Sequence, residues 1–414
     1  MTEAEPSVLD RPRVEQILRA ALAKGASDVH FKAGEKILLR IRGELRALDV
    51  PKLTPQQTHA VLEAIRPARL AGLDLETLRE VDFSFAVPGA ARFRANAFRQ
   101  RGSLAIVVRV IPIQIPDLRD LGLPEVVAKL AEEERGIVLV TGATGSGKST
   151  TLAAMIKHIN RTMAAHVVTI EDPIEFLFQN ERSSVVQREI GTDTDGFAGA
   201  LRAALRQDPD VIMIGEMRDT ETMEIAIKAA ETGHLVLSTA HTTDAARTIN
   251  RLVGAVSPSE QNLLRLRLSE VLRAIVSMRL LPRADGSGLV PAIEVMINTR
   301  IVQDCIRNAD RQEELQDIVA KGAHYGMRTF DQDLIRLVRE GAISRDVALA
   351  AATTPGDVDL QLRLGGGETE EIELATERSY SDELAEIDPS LRITNVDLDL
   401  LSEKPKPDPP AAEA

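Results

Sequence analysis

The stretch Ile137-Val138-Leu139-Val140-Thr141-Gly142-Ala143-Thr144-Gly145-Ser146-Gly147-Lys148-Ser149-Thr150-Thr151-Leu152 decides the fold. Residues 142–149 satisfy the whole phosphate-loop pattern G-x-x-x-x-G-K-[ST]. The apolar run before it reads as a buried parallel strand, and Thr150 to Ile156 after it reads as a helix. Gly142, Gly145 and Gly147 let the backbone curl into a cup of N–H donors, with a helix N-terminus behind it. Lys148 is placed to reach the β- and γ-phosphates, and the Ser149 hydroxyl to bind Mg²⁺. Thr144, Ser146 and Thr150 belong to the same set of nucleotide-binding positions. The plainer reading, a chance glycine-rich turn, does not account for the strand–loop–helix setting. The expectation is a chain that binds ATP with Mg²⁺.

Outward from the loop, apolar strands near 137–141, 166–170, 211–215 and 235–239 alternate with helices, which predicts a parallel α/β sheet. Upstream, an amphipathic helix over 12–24 and another near 55–66 accompany alternating segments at 37–42, 82–87, 92–98 and 104–110. These make residues 1–111 a small α+β domain, followed by a proline-punctuated linker at 112–120 and the second domain at 121–364. Beyond residue 257 the pattern turns helical, with helices expected near 259–281, 300–308, 311–321, 329–339 and 344–351. Residues 365–414 are acidic and proline-rich and read as a disordered tail.

Composition narrows the class. The single cysteine, Cys305, excludes an intramolecular disulfide and a zinc site built from several cysteines, and suits a reducing compartment. The acidic start Met1-Thr2-Glu3-Ala4-Glu5 does not read as a signal peptide, and no run is apolar enough to span a bilayer. A cytoplasmic protein is expected. Of the net charge of −13, −10 falls in the tail, so the remaining 364 residues are nearly neutral. Neither part shows the basic excess of a nucleic-acid binder.

Two further strand ends carry acids. Asp210-Val211-Ile212-Met213-Ile214-Gly215-Glu216 puts Glu216 where P-loop enzymes place a carboxylate beside Mg²⁺, through a metal-bound water. Thr169-Ile170-Glu171-Asp172-Pro173-Ile174-Glu175 sets three carboxylates at the carboxyl end of a parallel strand, where ligands of this fold class bind. Glu175 is the first choice to take the proton of an attacking water, with Glu171 and Asp172 as candidates for Mg²⁺-bound water. Merely solvated turns are the bland reading at both places. In Thr232-Gly233-His234-Leu235-Val236-Leu237-Ser238-Thr239-Ala240-His241-Thr242-Thr243-Asp244, the seven-residue gap would point the two histidines to opposite faces, a poor metal pair. His241, at the carboxyl end, is better placed to sense the γ-phosphate.

These segments, with Ala26-Ser27-Asp28-Val29-His30 and Gly326-Met327-Arg328-Thr329-Phe330-Asp331-Gln332, resemble the secretion-superfamily hexameric ATPases of the type IV pilus retraction group over residues 13–364. The resemblance implies a RecA-like P-loop ATPase domain with an N-terminal PAS-like α+β domain and a helical C-terminal region. It implies a homohexamer with ATP between the domains, working on a polytopic inner-membrane pilus platform protein from the cytoplasmic face to power retraction and twitching motility. Arginines are expected at the phosphates: Arg206 and Arg218 beside the acidic strand, and Arg94, Arg99 and Arg109 in the first domain. Gln303 departs from the group, standing where its signature carries arginine. That departure and the tail favour an accessory or regulatory paralogue that works beside a second retraction ATPase. The rival expectations are a pilus-extension or type II secretion ATPase and a nucleic-acid motor on the same RecA-like core.

Overall fold

The computed structural model describes residues 9–41, 43–111, 114–217 and 219–364. The acidic tail, Arg218 and part of the expected linker lie outside the described residues.

The first half is built on a six-stranded sheet of β1 (Ala26–Lys32), β2 (Leu38–Ile41), β3 (Glu44–Ala47), β4 (Glu80–Val87), β5 (Ala91–Gln100) and β6 (Ser103–Ile111). The order is β3-β2-β1-β6-β5-β4, and every pairing is antiparallel. Period-two alternation on β5 sends Phe93, Ala95 and Ala97 into the core and Arg92, Arg94 and Asn96 to the other face. The helices α1 (Arg11–Ala23) and α2 (Pro55–Ile65) cover the apolar face with Val14, Leu18, Val61 and Leu62. Both start at built caps: Asp10 accepts from Arg13 N–H, and Thr54 with Gln57 closes a reciprocal capping box.

After α3 (Val126–Ala131) the chain alternates strand and helix: β7 (Gly136–Gly142), α4 (Lys148–Thr162), β8 (His166–Glu171), β9 (Ser184–Glu189), α5 (Phe197–Ala204), β10 (Val211–Ile214), α6 (Thr220–Glu231), β11 (Leu235–Ala240) and α7 (Ala245–Val253). Then come α8 (Pro258–Val271) and the hairpin β12 (Leu272–Pro282) and β13 (Leu289–Ile297). The sheet order is β13-β12-β7-β11-β10-β8-β9, parallel throughout except for β13. Apolar clusters bury it on both faces, which explains why its central strands read as unbroken apolar blocks. α9 (Arg300–Arg307), α10 (Leu315–Lys321), α11 (Phe330–Arg339), α12 (Arg345–Ala351) and α13 (Pro355–Arg363) complete the described chain.

One expected helix is overturned in its second half. The helix expected over 259–281 stops at Val271, and Leu272–Pro282 is a strand between β7 and β13. Ala274-Ile275-Val276 is apolar without alternation because it is buried on both faces, and periodicity alone cannot separate such a run from a buried helix.

Candidate active site

Because β7, β11, β10 and β8 are neighbours and run parallel, their carboxyl ends bring four loops side by side. The loops border a cavity of about 440 Å³ lined by Lys148, Ser149, Glu171, Asp172, Glu175, Glu216 and His241, with Gly145, Gly147, Thr144 and Thr150 along the phosphate loop.

The loop after β7 is shaped by its glycines. Gly147 caps α4 at φ 99°, and Gly142 sits at φ 147°. A Cβ at 142 would stand 2.4 Å from Ser146 Oγ and 2.5 Å from Met278 O, so no side chain fits there. Lys148 is buried, and its Nζ donates to the carbonyls of Gly142 and Ala143 at 2.9 Å each. Burial pushes its pKa down, and the nearby Glu216 and Glu175 charges oppose that. Ser146 Oγ is buried with no hydrogen-bond partner. A cation resting on loop carbonyls and an unanswered buried hydroxyl both call for anionic oxygen, so the loop fits a phosphate chain.

The acids divide by surroundings. Glu171 is buried, and its carboxylate accepts from Thr169 Oγ1 at 2.6 Å, Gln187 Nε2 at 3.1 Å and Glu175 N–H at 3.4 Å. Desolvation raises its pKa against those hydrogen bonds. Its Oε1 is engaged by two side chains and its Oε2 holds the Glu175 N–H, while the residue also lines the cavity. Asp172 and Glu175 are exposed on the cavity wall. Glu216 follows a strand tip pinned by Ser238 Oγ to Ile214 O (2.8 Å) and Thr239 Oγ1 to Gly215 O (2.6 Å). Its Oε2 lies 3.4 Å from His241 Nε2.

No group of three or more His, Cys, Asp or Glu forms a ready metal cage among the described residues. That donor set still fits Mg²⁺, which is normally held by phosphate oxygens and waters with one or two protein oxygens. Ser149, Asp172 and Glu216 line the cavity where such oxygens would be needed.

Other expected residues lie elsewhere. Arg206 is exposed and donates to Arg202 O at 2.9 Å, so it is not brought to the cavity within this chain. Arg99 ties down the carbonyls of Leu75, Glu76, Leu78 and Gly102, and Arg109 pairs with the buried Asp28 at 2.8 Å. Arg94 lies 3.9 Å from Asp82. His234, at the other end of β11, shares its Nδ1 with Ala229 O at 2.8 Å. Sequence reasoning missed Glu294, buried on β13, which accepts from Ala245 N–H at 2.8 Å, four residues after His241. The available signal was a lone carboxylate inside the apolar run Ala292-Ile293-Glu294-Val295-Met296.

Residues 4–312 match the family described as Type II/IV secretion system protein. The chain is 44% identical over 342 residues to the type IV pilus retraction ATPase PilT of Pseudomonas aeruginosa, covering 83% of this chain and 98% of that one. It is 38% identical over 378 residues to the type IV pilus ATPase PilU of the same organism, covering 91% and 98%. A crystal structure of the pilus retraction motor PilT with bound ADP superposes with a TM-score of 0.76 at 45% identity, covering 83% of this chain and 98% of that one.

Proposed function

Because the chain belongs to the Type II/IV secretion system protein family, we propose that it is a hexameric ATPase motor that powers type IV pilus retraction and twitching motility. The observation that carries this reading is the convergence of the phosphate loop, the Glu175 loop and the Glu216–His241 pair on one cavity, in a chain that matches 98% of the length of PilT.

In this reading the loop N–H groups and Lys148 hold the phosphates, and Lys148 exchanges its loop carbonyls for phosphate oxygens. Ser149, Asp172 and Glu216 would hold Mg²⁺ and its waters, and the bound ion would neutralise phosphate charge. Glu175 orients the attacking water and takes its proton. His241, held by Glu216, reports the γ-phosphate to the loop that enters α7. Six copies form a ring at the cytoplasmic face of the inner membrane and act on a polytopic platform protein. No helix among the described residues is long and apolar enough to cross a membrane.

A second reading is an accessory motor. The likeness to PilU extends over more of this chain than that to PilT, 378 against 342 residues, and Gln303 replaces a signature arginine. The deciding experiment joins biochemistry and imaging. Lys148→Ala should abolish ATP turnover in the purified protein, and a strain carrying it as its sole retraction ATPase should keep pili that do not retract. More than half the wild-type ATPase rate in the variant would refute the site.

A further inference from the structure

The Glu175 loop is suspended from two buried carboxylates, and the second one is tied to the other sheet. Glu189, the last residue of β9, is buried. Its Oε2 accepts from Ile174 N–H at 3.3 Å, next to Glu175, and from Arg92 Nη2 of β5 at 2.9 Å. Its Oε1 accepts from Thr192 Oγ1 at 3.0 Å, and Thr192 Oγ1 in turn accepts from Arg69 Nη2 at 3.3 Å. Both Arg69 and Arg92 belong to the amino-terminal half, so two side-chain bonds that cross between the halves end on one turn behind the catalytic loop.

We propose that Glu189 and Arg92 are positioning residues that couple the placement of the amino-terminal sheet to the placement of Glu175. The inference rests on Glu175 being the base.

The physical argument is one of shared atoms. A single carboxylate oxygen serves both the cross-sheet guanidinium and the N–H at the root of the loop. With Arg92 in place, that oxygen is oriented by a charge-assisted bond and the loop hangs from a fixed point. When the amino-terminal sheet shifts, the buried carboxylate loses its cation and turns toward other donors, and the Ile174 anchor goes with it. Arg92 engages Glu189 through one nitrogen only, and its buried Nε has no hydrogen-bond partner. A one-point contact of this kind opens more readily than a bidentate clamp. Arg92 is not among the residues that line the cavity, and its bond to Glu189 is the link through which it acts. Glu171 holds the Glu175 N–H independently, so loosening the Glu189 anchor shifts the loop without releasing it.

The test is a double-mutant cycle on the full chain: Arg92→Ala, Glu189→Gln and both together, with Glu175→Gln alongside. Steady-state ATPase gives kcat and KM, a fluorescent ADP analogue gives nucleotide affinity, and a melting curve gives stability. Arg92→Ala should lower kcat about 10-fold with KM and ADP affinity within about twofold, the scale of a misplaced catalytic group. Glu189→Gln keeps hydrogen-bonding capacity but loses the charge, and should lower kcat similarly. The double variant should be no worse than the more impaired single, because both break one link. Multiplying losses, or a kcat loss that tracks a fall in melting temperature, would reduce the pair to a fold-stabilising contact. Normal turnover by Arg92→Ala beside a dead Glu175→Gln would overturn the coupling alone. Normal turnover by Glu175→Gln would remove the base assignment first, and the coupling with it.

Discussion

At the residue scale, chemistry is sorted by environment rather than by residue type. Glu171, Asp172 and Glu175 sit within five positions and all line the cavity, yet Glu171 is buried and hydrogen-bonded within the protein while the other two are exposed on the wall. Glu175→Gln should therefore bind nucleotide normally and lose about 10²–10⁴ in kcat, as expected when a general base is removed. Asp172→Asn should lose less and show it in the Mg²⁺ concentration needed for half-maximal rate. The reverse ranking in steady-state ATPase would exchange their roles. Glu294 makes a different prediction. Burial, with some help from Asp244, pushes its carboxyl from 4.5 up to about 7, against the Ala245 N–H, Arg279 and Ser277. Between those two values the folded protein keeps a proton that the unfolded chain has lost. Stability contributed by the neutral group is present below pH 4.5 and is lost as pH rises through 7, by up to roughly 3 kcal/mol. Glu294→Gln carries no charge to bury, so its melting temperature should gain on wild type more at pH 8 than at pH 5. An equal gap at both pH values would show that Glu294 does not titrate in that window.

At the element scale, the β7–loop–α4 unit was readable because every local requirement is written in residue types: an apolar block, glycines where φ is positive, a lysine and a hydroxyl at the helix start. The expected fold class, a parallel α/β sheet joined to an α+β half, is the one found. β8, β10 and β11 were readable as apolar blocks bounded by polar residues. β12 was not, because it follows α8 directly, Val271 to Leu272, with no turn residue to separate them, and a buried apolar run does not by itself tell strand from helix. β3 is short and exposed throughout, so no pattern announces it. The candidate site was legible at residues whose types suit a phosphate or a metal ion, and illegible where a residue meets another residue, as with Glu189 and Glu294. A strand meets a loop just as invisibly at Gly142, whose missing side chain leaves room for Ser146 and for the β12 carbonyl of Met278. Gly142→Ala should therefore lower the melting temperature as well as nucleotide affinity, through strain of about 1–3 kcal/mol. Wild-type affinity measured by equilibrium binding would mean the loop can relax away from β12.

At the scale of the whole molecule, ATP chemistry and delivered work are separate properties, and Gln303 stands apart from the candidate ATP site. The cavity lies where the carboxyl ends of β7, β8, β10 and β11 meet the start of α4, whereas Gln303 lies on α9, among the helices that follow β13. α9 is anchored by Val302, Cys305 and Ile306 in the core, while Ile301 is exposed and Gln303 is half-buried, its Nε2 reaching Asn298 O at 3.5 Å. Arginine at this place would bring a fixed charge and a planar fork of five donors; glutamine keeps hydrogen bonding and loses both. If the signature arginine serves the pilus side of the motor, this chain hydrolyses ATP but retracts weakly alone, as an accessory paralogue would. Gln303→Arg should then widen the twitching zone of a strain lacking other retraction motors, while the purified ATPase rate stays within about twofold, because solvent and salt screen a charge whose head reaches water away from the cavity. The long arginine stem can run along the apolar edge of α9 with its head in solvent, so folding should survive the change. Robust twitching by the wild-type chain alone would sink the accessory reading, and would leave a self-sufficient retraction motor whose helix α9 meets its partner without that arginine.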